Sequence, residues 1–208
     1  MIKLLCEQRS EAWYQARIAR VTGTSFSDLV AKKDTTGHQS LISNIACEII
    51  TETQEDIENY VNSDMQRGID SEPLAKKQYK ELFDCELTDV GFVIPDEDNE
   101  FNEWIGVSPD ALINDDGLLE IKCPLRKTHI SYIEKNALPS NYKHQVQGQL
   151  FVTGLAYCDF MSFCEGMKPF IVRVFPDLDL HELYKTELRE LIKQVRAKIE
   201  TYNKYSHE

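Results

Sequence analysis

The chain has 208 residues, 42% of them hydrophobic and 28% charged, and 35 acidic against 23 basic side chains give a net charge of −12. That balance describes an ordinary globule and argues against a protein that coats DNA through a basic face. No apolar run approaches the ~18–20 residues of a membrane span.

Met1 to Cys6 is too short, and too soon interrupted by Glu7 and Arg9, for a secretory signal, so a cytoplasmic protein is expected. Gln8 to Ile18 reads as a helix with Ser10 as its N-cap, broken by Val21-Thr22-Gly23-Thr24-Ser25 before a second short helix to about Val30. Arg17, Arg20, Thr22, Thr24 and Ser25 gather guanidinium and hydroxyl groups beside that second helix start. Two readings stand side by side: a cap made by Thr24 or Ser25, and a pocket for an anion at a helix N-terminus. Ser40 to Ile50 has apolar residues at helical spacing and reads as core, and the polar, acidic stretch Gln54 to Asp64 opens a helix or loop. In Gln66 to Tyr79, Gly68 lies one helical turn before Glu72, where it would admit another backbone or a ligand, and Pro73 marks a helix start or a kink.

Cys85 to Ile94 reads as one strand, followed by an acidic loop to Glu103. Next come two apolar strands, Gly106 to Ile113 and Leu118 to Pro124, with turn chemistry in Asn114-Asp115-Asp116-Gly117. With Gly117 left-handed in a three-residue loop, Asn114 would pair with Leu118 and Asp110 with Lys122. Asp110, Glu120 and Lys122 then share one face, and Ile121 points into a core. Alone, such a hairpin is a surface element with a salt bridge, but two carboxylates and an ammonium on one face also suit a hard cation. Arg126-Lys127-Thr128 adds positive charge just beyond.

Pro139-Ser140 opens a helix that Gly154 ends, with Gln145, Gln147 and Gln149 on its surface. Tyr157 to Phe163 and Phe170 to Phe175 read as strands, and a long amphipathic helix runs from Leu178. The six cysteines form no C-x-x-C pair and read as reduced, mostly core residues. With no repeats or linkers, a single domain over 1–208 is expected, α/β in class, with a central mixed sheet flanked by helices.

Taken together, Trp13…Arg17…Val21-Thr22-Gly23-Thr24, Gly68-x-x-x-Glu72-Pro73, Ser108-Pro109-Asp110, Glu120-Ile121-Lys122-Cys123-Pro124 and Gln145-Val146-Gln147 resemble the lambda exonuclease and YqaJ-type viral recombinase nucleases. These belong to the PD-(D/E)xK superfamily, so the resemblance implies a restriction-endonuclease-like core. It also implies Mg²⁺-dependent, processive 5′→3′ digestion of one strand of duplex DNA for recombination, with Mn²⁺ able to substitute. Asp110 and Glu120 would hold the metal with the Ile121 carbonyl, and Glu72 would be an additional metal-proximal acid. Lys122 would orient or activate the attacking water, as base or as fixed charge. Gln147 would support the site. Arg17, Thr24 and Ser108 would hold a 5′-phosphate, and either Arg126 or Lys127 would contact DNA. The resemblance further implies a trimeric ring on double-stranded DNA ends, a single-strand annealing partner, and host cytoplasm if the chain is viral. The competing readings are a RecB-like endonuclease or 3′-exonuclease, and a silent DNA-binding module.

Overall fold

The computed structural model describes residues 1–4, 6–54 and 63–205. The stretch Gln54 to Asp64 therefore lies largely outside the described residues.

A five-stranded sheet carries the hairpin. Its strands are β2 (Leu87–Thr88), β4 (Ala111–Ile113), β5 (Gly117–Lys122), β6 (Tyr157–Ser162) and β7 (Phe170–Val174), side by side in that order. Only β5 and β6 run parallel; the other pairs are antiparallel. The parallel pair needs a crossover, which α5 (Arg126–Lys135) and α6 (Lys143–Thr153) provide. β1 (Ile2–Leu4) and β3 (Phe92–Ile94) form a separate antiparallel pair. The stretch expected as one strand from Cys85 to Ile94 is thus two strands in different sheets. The chain changes sheet at Asp89 to Gly91, where a Cβ on Gly91 would lie 1.9 Å from the Cys6 carbonyl oxygen.

Alternation along β5 sorts the two faces. Leu118 joins one core with Val146 and Leu150 of α6 and with Tyr184, Leu188, Leu191 and Val195 of α7 (Leu178–Lys204). That core also holds Phe26 and Leu29 of α2 (Phe26–Leu29) and Leu41, Ile42 and Ile45 of α3 (Thr36–Thr51). Leu119 and Ile121 join the opposite core, with Ala75 and Tyr79 of α4 (Ser63–Phe83). Each such buried aliphatic contributes about 1.5–3 kcal/mol. α4 continues through Pro73 rather than starting there. It is pinned to the sheet by the Tyr79 hydroxyl, which donates to Asp159, itself in a bidentate pair with Arg173 at 2.8 Å. Among the described residues, nothing beyond its own helix backbone comes within 4 Å of a Cβ placed on Gly68.

The hairpin register differs from the expected one by two residues. Ala111 pairs with Leu119 and Ile113 with Gly117, so Asp110 falls opposite Glu120, not Lys122. The left-handed residue is Asn114 (φ 47°), whose side chain also accepts from the Glu86 N–H. Gly117 is there for space: a Cβ would lie 2.4 Å from the Tyr157 ring. A slip of two preserves the facing of every side chain, so the shared face of Asp110, Glu120 and Lys122 survives the correction. The six cysteines are free, as expected, but only Cys158 is fully buried.

Candidate active site

β4 is short, and this opens the site. Asp110 stands just before its first residue, and the Asp110 N–H still donates to the Leu119 carbonyl at 3.1 Å. Its carboxylate then turns across the strand end and accepts the Ile121 N–H at 2.5 Å. Within one extended residue the N–H and C=O point to the same side, so the Ile121 carbonyl faces the edge that β4 has vacated. The Asp110 carboxylate and the Ile121 carbonyl are thereby brought to one place.

Glu120, 2% exposed, projects from that shared face of β5 toward α6. Gln145 and Gln149, one helical turn apart, donate to its two oxygens at 2.5 and 2.6 Å, and Lys122 Nζ lies 2.5 Å from Oε1. Gln147, two residues from each, points away. Its amide donates to the Phe175 carbonyl and accepts from the Asp177 N–H and His181, which fixes the start of α7. The expected supporting glutamine is therefore replaced by its two neighbours. Their i,i+4 spacing was the available signal, since a residue two places along a helix faces the opposite side.

Burial, then the neighbouring Glu120, push the Asp110 carboxyl well above the usual carboxylate range, with Lys122 acting the other way and Glu72 adding to the rise. For Lys122 burial opposes the charge, but Glu120 and Asp110 outweigh it and hold the ammonium above the ordinary lysine range. Glu72 lines the same cleft as Asp110, with its carboxylate 2.7 Å from Lys76 Nζ. Among the described residues, no three His, Cys, Asp or Glu side chains gather closely enough to cage a metal. The donors do fit one hard cation, because Mg²⁺ is usually bound through one or two carboxylates with solvent completing its shell. Asp110, Glu120 and the Ile121 carbonyl could supply those oxygens, and the repulsion on Asp110 is what a cation would relieve.

A second cluster adjoins the first. The Trp13 indole N–H, on α1 (Glu11–Arg17), donates to Ser108 Oγ at 2.8 Å and to the Gly91 carbonyl at 3.0 Å. The Arg17 guanidinium lies 4.2 Å from the Trp13 ring centroid and 3.4 Å from Thr22 Oγ1. Ser10 caps α1 as expected, accepting from the Trp13 N–H. Neither Thr22 nor Ser25 makes a side-chain cap on the turn Gly23–Ser25 and α2 behind it. Thr24 is exposed, and Gly23 packs against Gln145 and Gln149, so this turn borders the Glu120 pocket. Ser108 and Arg17 are thus drawn together through Trp13. Arg126 and Lys127 are exposed on the first turn of α5, beyond the carboxylates.

The YqaJ-like viral recombinase domain matches residues 12–156, which span both clusters. The chain belongs to the YqaJ-like viral recombinase family. The alkaline exonuclease LHK-Exo from Laribacter hongkongensis is 31% identical to it, with a TM-score of 0.81 over 93% of this chain and 96% of that one. LHK-Exo in complex with dAMP matches equally well. A phage-related exonuclease from Haemophilus somnus 129PT, at 15% identity, shares the fold (TM-score 0.67, 88% and 96% covered). No curated protein matches the chain. This YqaJ-type chain is a nuclease, and no helix among its described residues is long and apolar enough to cross a membrane.

Proposed function

We propose that this chain is a single-domain, metal-dependent deoxyribonuclease that digests one strand of linear duplex DNA from its 5′ end. Mg²⁺ is the metal, with Mn²⁺ able to substitute. The observation that carries this reading is the junction of two clusters, Asp110–Glu120–Lys122 and Trp13–Arg17–Ser108, at the open end of β4.

Asp110, Glu120 and the Ile121 carbonyl would hold the metal. When bound, Mg²⁺ supplies Lewis-acid charge to the scissile phosphate and makes water nucleophilic at neutral pH. The chain's own residues do the rest. Gln145 and Gln149 fix the orientation of Glu120, as supporting partners of a ligand should. The Lys122 ammonium meets the negative charge that grows on the phosphoryl oxygens in the transition state. Arg17, steadied on Trp13, and Ser108 offer a fork and a hydroxyl to a terminal phosphate, with Thr24 at the border of the same pocket. Arg126 or Lys127 contacts the DNA backbone farther out. The product strand would feed recombination beside a single-strand annealing protein in the cytoplasm, of a host cell if the chain is viral.

The test offers linear duplex and the same DNA as a covalently closed circle, each with Mg²⁺ or EDTA. The reading expects only the linear form with Mg²⁺ to be degraded. Cleavage of the circle would contradict it in favour of an endonuclease, and cleavage in EDTA would remove the metal.

A further inference from the structure

Arg17 is the last residue of α1, and Thr22 Oγ1 lies 3.4 Å from its guanidinium. The residues between them bring the two together as a tight turn. The Arg20 N–H donates to the Arg17 carbonyl at 3.3 Å, and the Val21 N–H to the Trp104 carbonyl at 2.8 Å. The Arg20 side chain donates to the Asn102 and Ile105 carbonyls. In the middle stands Ala19 with φ 59°, a left-handed conformation that a residue with a Cβ adopts reluctantly. Its N–H donates to Glu48 Oε2 at 2.6 Å.

Glu48 comes from the last turn of α3, a helix fixed in the core through Leu41, Ile42, Ile45 and Ala46. A half-buried carboxylate on a rigid element thus holds the strained residue between Arg17 and Thr22. Toward Arg17 itself Glu48 acts through charge. Burial weakens the guanidinium's hold on its proton, while Tyr14 and then Glu48 strengthen it. Glu48 therefore braces the turn through its backbone bond and leaves the guanidinium fork to face an anion.

We propose that Glu48 is a positioning residue for recognition of the terminal phosphate: by holding Ala19 left-handed, it keeps Arg17 and Thr22 facing one space. The proposal rests on the 5′-end reading above and adds to it the residue that shapes the pocket from outside. It gives the left-handed alanine a purpose, since strain of this kind persists where the surroundings hold it for a function.

The test reads the ratio of initial rates on 5′-phosphorylated and 5′-hydroxyl linear duplex with Mg²⁺, in which any loss of folded protein cancels. Wild type should favour the phosphate by at least about tenfold, and Arg17→Ala should lose that preference. Glu48→Ala and the space-filling Glu48→Leu, each checked for native circular dichroism, should cut the ratio at least about fivefold. Glu48→Gln, whose amide oxygen can accept the same N–H, should keep it within about twofold. Adding Ala19→Gly to Glu48→Ala should restore most of the ratio, because glycine adopts the turn unaided. A wild-type ratio in both Glu48→Ala and Glu48→Leu, or a loss in Glu48→Gln as large as theirs, would overturn the Glu48 inference while leaving the 5′-end reading standing. Failure of Ala19→Gly to restore the ratio would do the same. No phosphate preference in wild type, or the full preference in Arg17→Ala, would overturn both.

Discussion

At the scale of single residues, Glu120 is the best-defined group in the site, because three donors from two elements meet on its two oxygens. Asp110→Asn and Glu120→Gln should each lower the hydrolysis rate at least about 10³-fold, roughly 4 kcal/mol of transition-state stabilisation, with the fold intact by circular dichroism. Loss of under tenfold in either would remove these carboxylates from the chemistry. The glutamines give a sharper contrast. Gln149→Ala should slow hydrolysis about 10–100-fold by freeing Glu120 from one of its holders. Gln147→Ala should instead cost about 1–3 kcal/mol of stability, since it leaves the start of α7 without its partner. Its activity per folded molecule should stay near wild type, and the opposite ranking in parallel kinetics and urea titrations would contradict the geometry. Here the sequence was legible in kind and misleading in detail. Strand alternation alone put Asp110, Glu120 and Lys122 on one face, and a register error of two could not disturb it. Which of Gln145, Gln147 and Gln149 serves the site depended on how α6 is rolled against β5, which three alternating glutamines do not state. The bridge from Lys76 to Glu72 and Asp89 was hidden for a different reason: Asp89 arrives from a strand break that periodicity read as continuous strand.

Among the elements, α1 and α6 bring the Trp13–Arg17–Ser108 cluster and the carboxylates together. Trp13 ties Arg17 of α1 to Ser108, and the turn Gly23–Ser25 rests on Gln145 and Gln149. Arg17→Ala should therefore slow digestion of a 5′-phosphorylated duplex far more than of its 5′-hydroxyl counterpart, by at least about tenfold, ~1.4 kcal/mol. Equal losses on the two substrates would mean that Arg17 reads something other than the terminal phosphate. The helices were largely legible because their caps are chemical: Ser10 opens α1, and Gly154, at φ 69°, closes α6. Long-range strand pairing was less so, since nothing local tells Leu87 and Phe92 to join different sheets. The α6–α7 contact carries a further consequence. Burial lowers the affinity of His181 for a proton, against smaller opposing effects from Gln147 and Asp177. The unfolded chain then binds the proton more readily, so stability present above about pH 6.5 is lost as pH falls. The thermal midpoint should drop between pH 7 and pH 5, and less so in His181→Gln; an identical drop in both would exclude His181 as a source.

For the molecule as a whole, the net charge of −12 poses the main physical problem, because a small acidic subunit holds a polyanion poorly. A closed ring of three copies would keep the duplex by topology rather than by charge. Light scattering should then give about three times 24.0 kDa, and a DNA trap added after initiation should not stop digestion. A processive monomer would refute the ring. The proposal that the Arg17 and Asp110 clusters act together makes one demand above the others, that cleavage start at the 5′ end. Linear duplex labelled at either the 5′ or the 3′ terminus of the same strand, with Mg²⁺ and the wild-type protein, tests it directly. The 5′ label should leave first, as mononucleotide, while the 3′ label stays on progressively shorter strands. Early release of the 3′ label, or of 5′-labelled oligonucleotides in place of mononucleotide, would contradict the account.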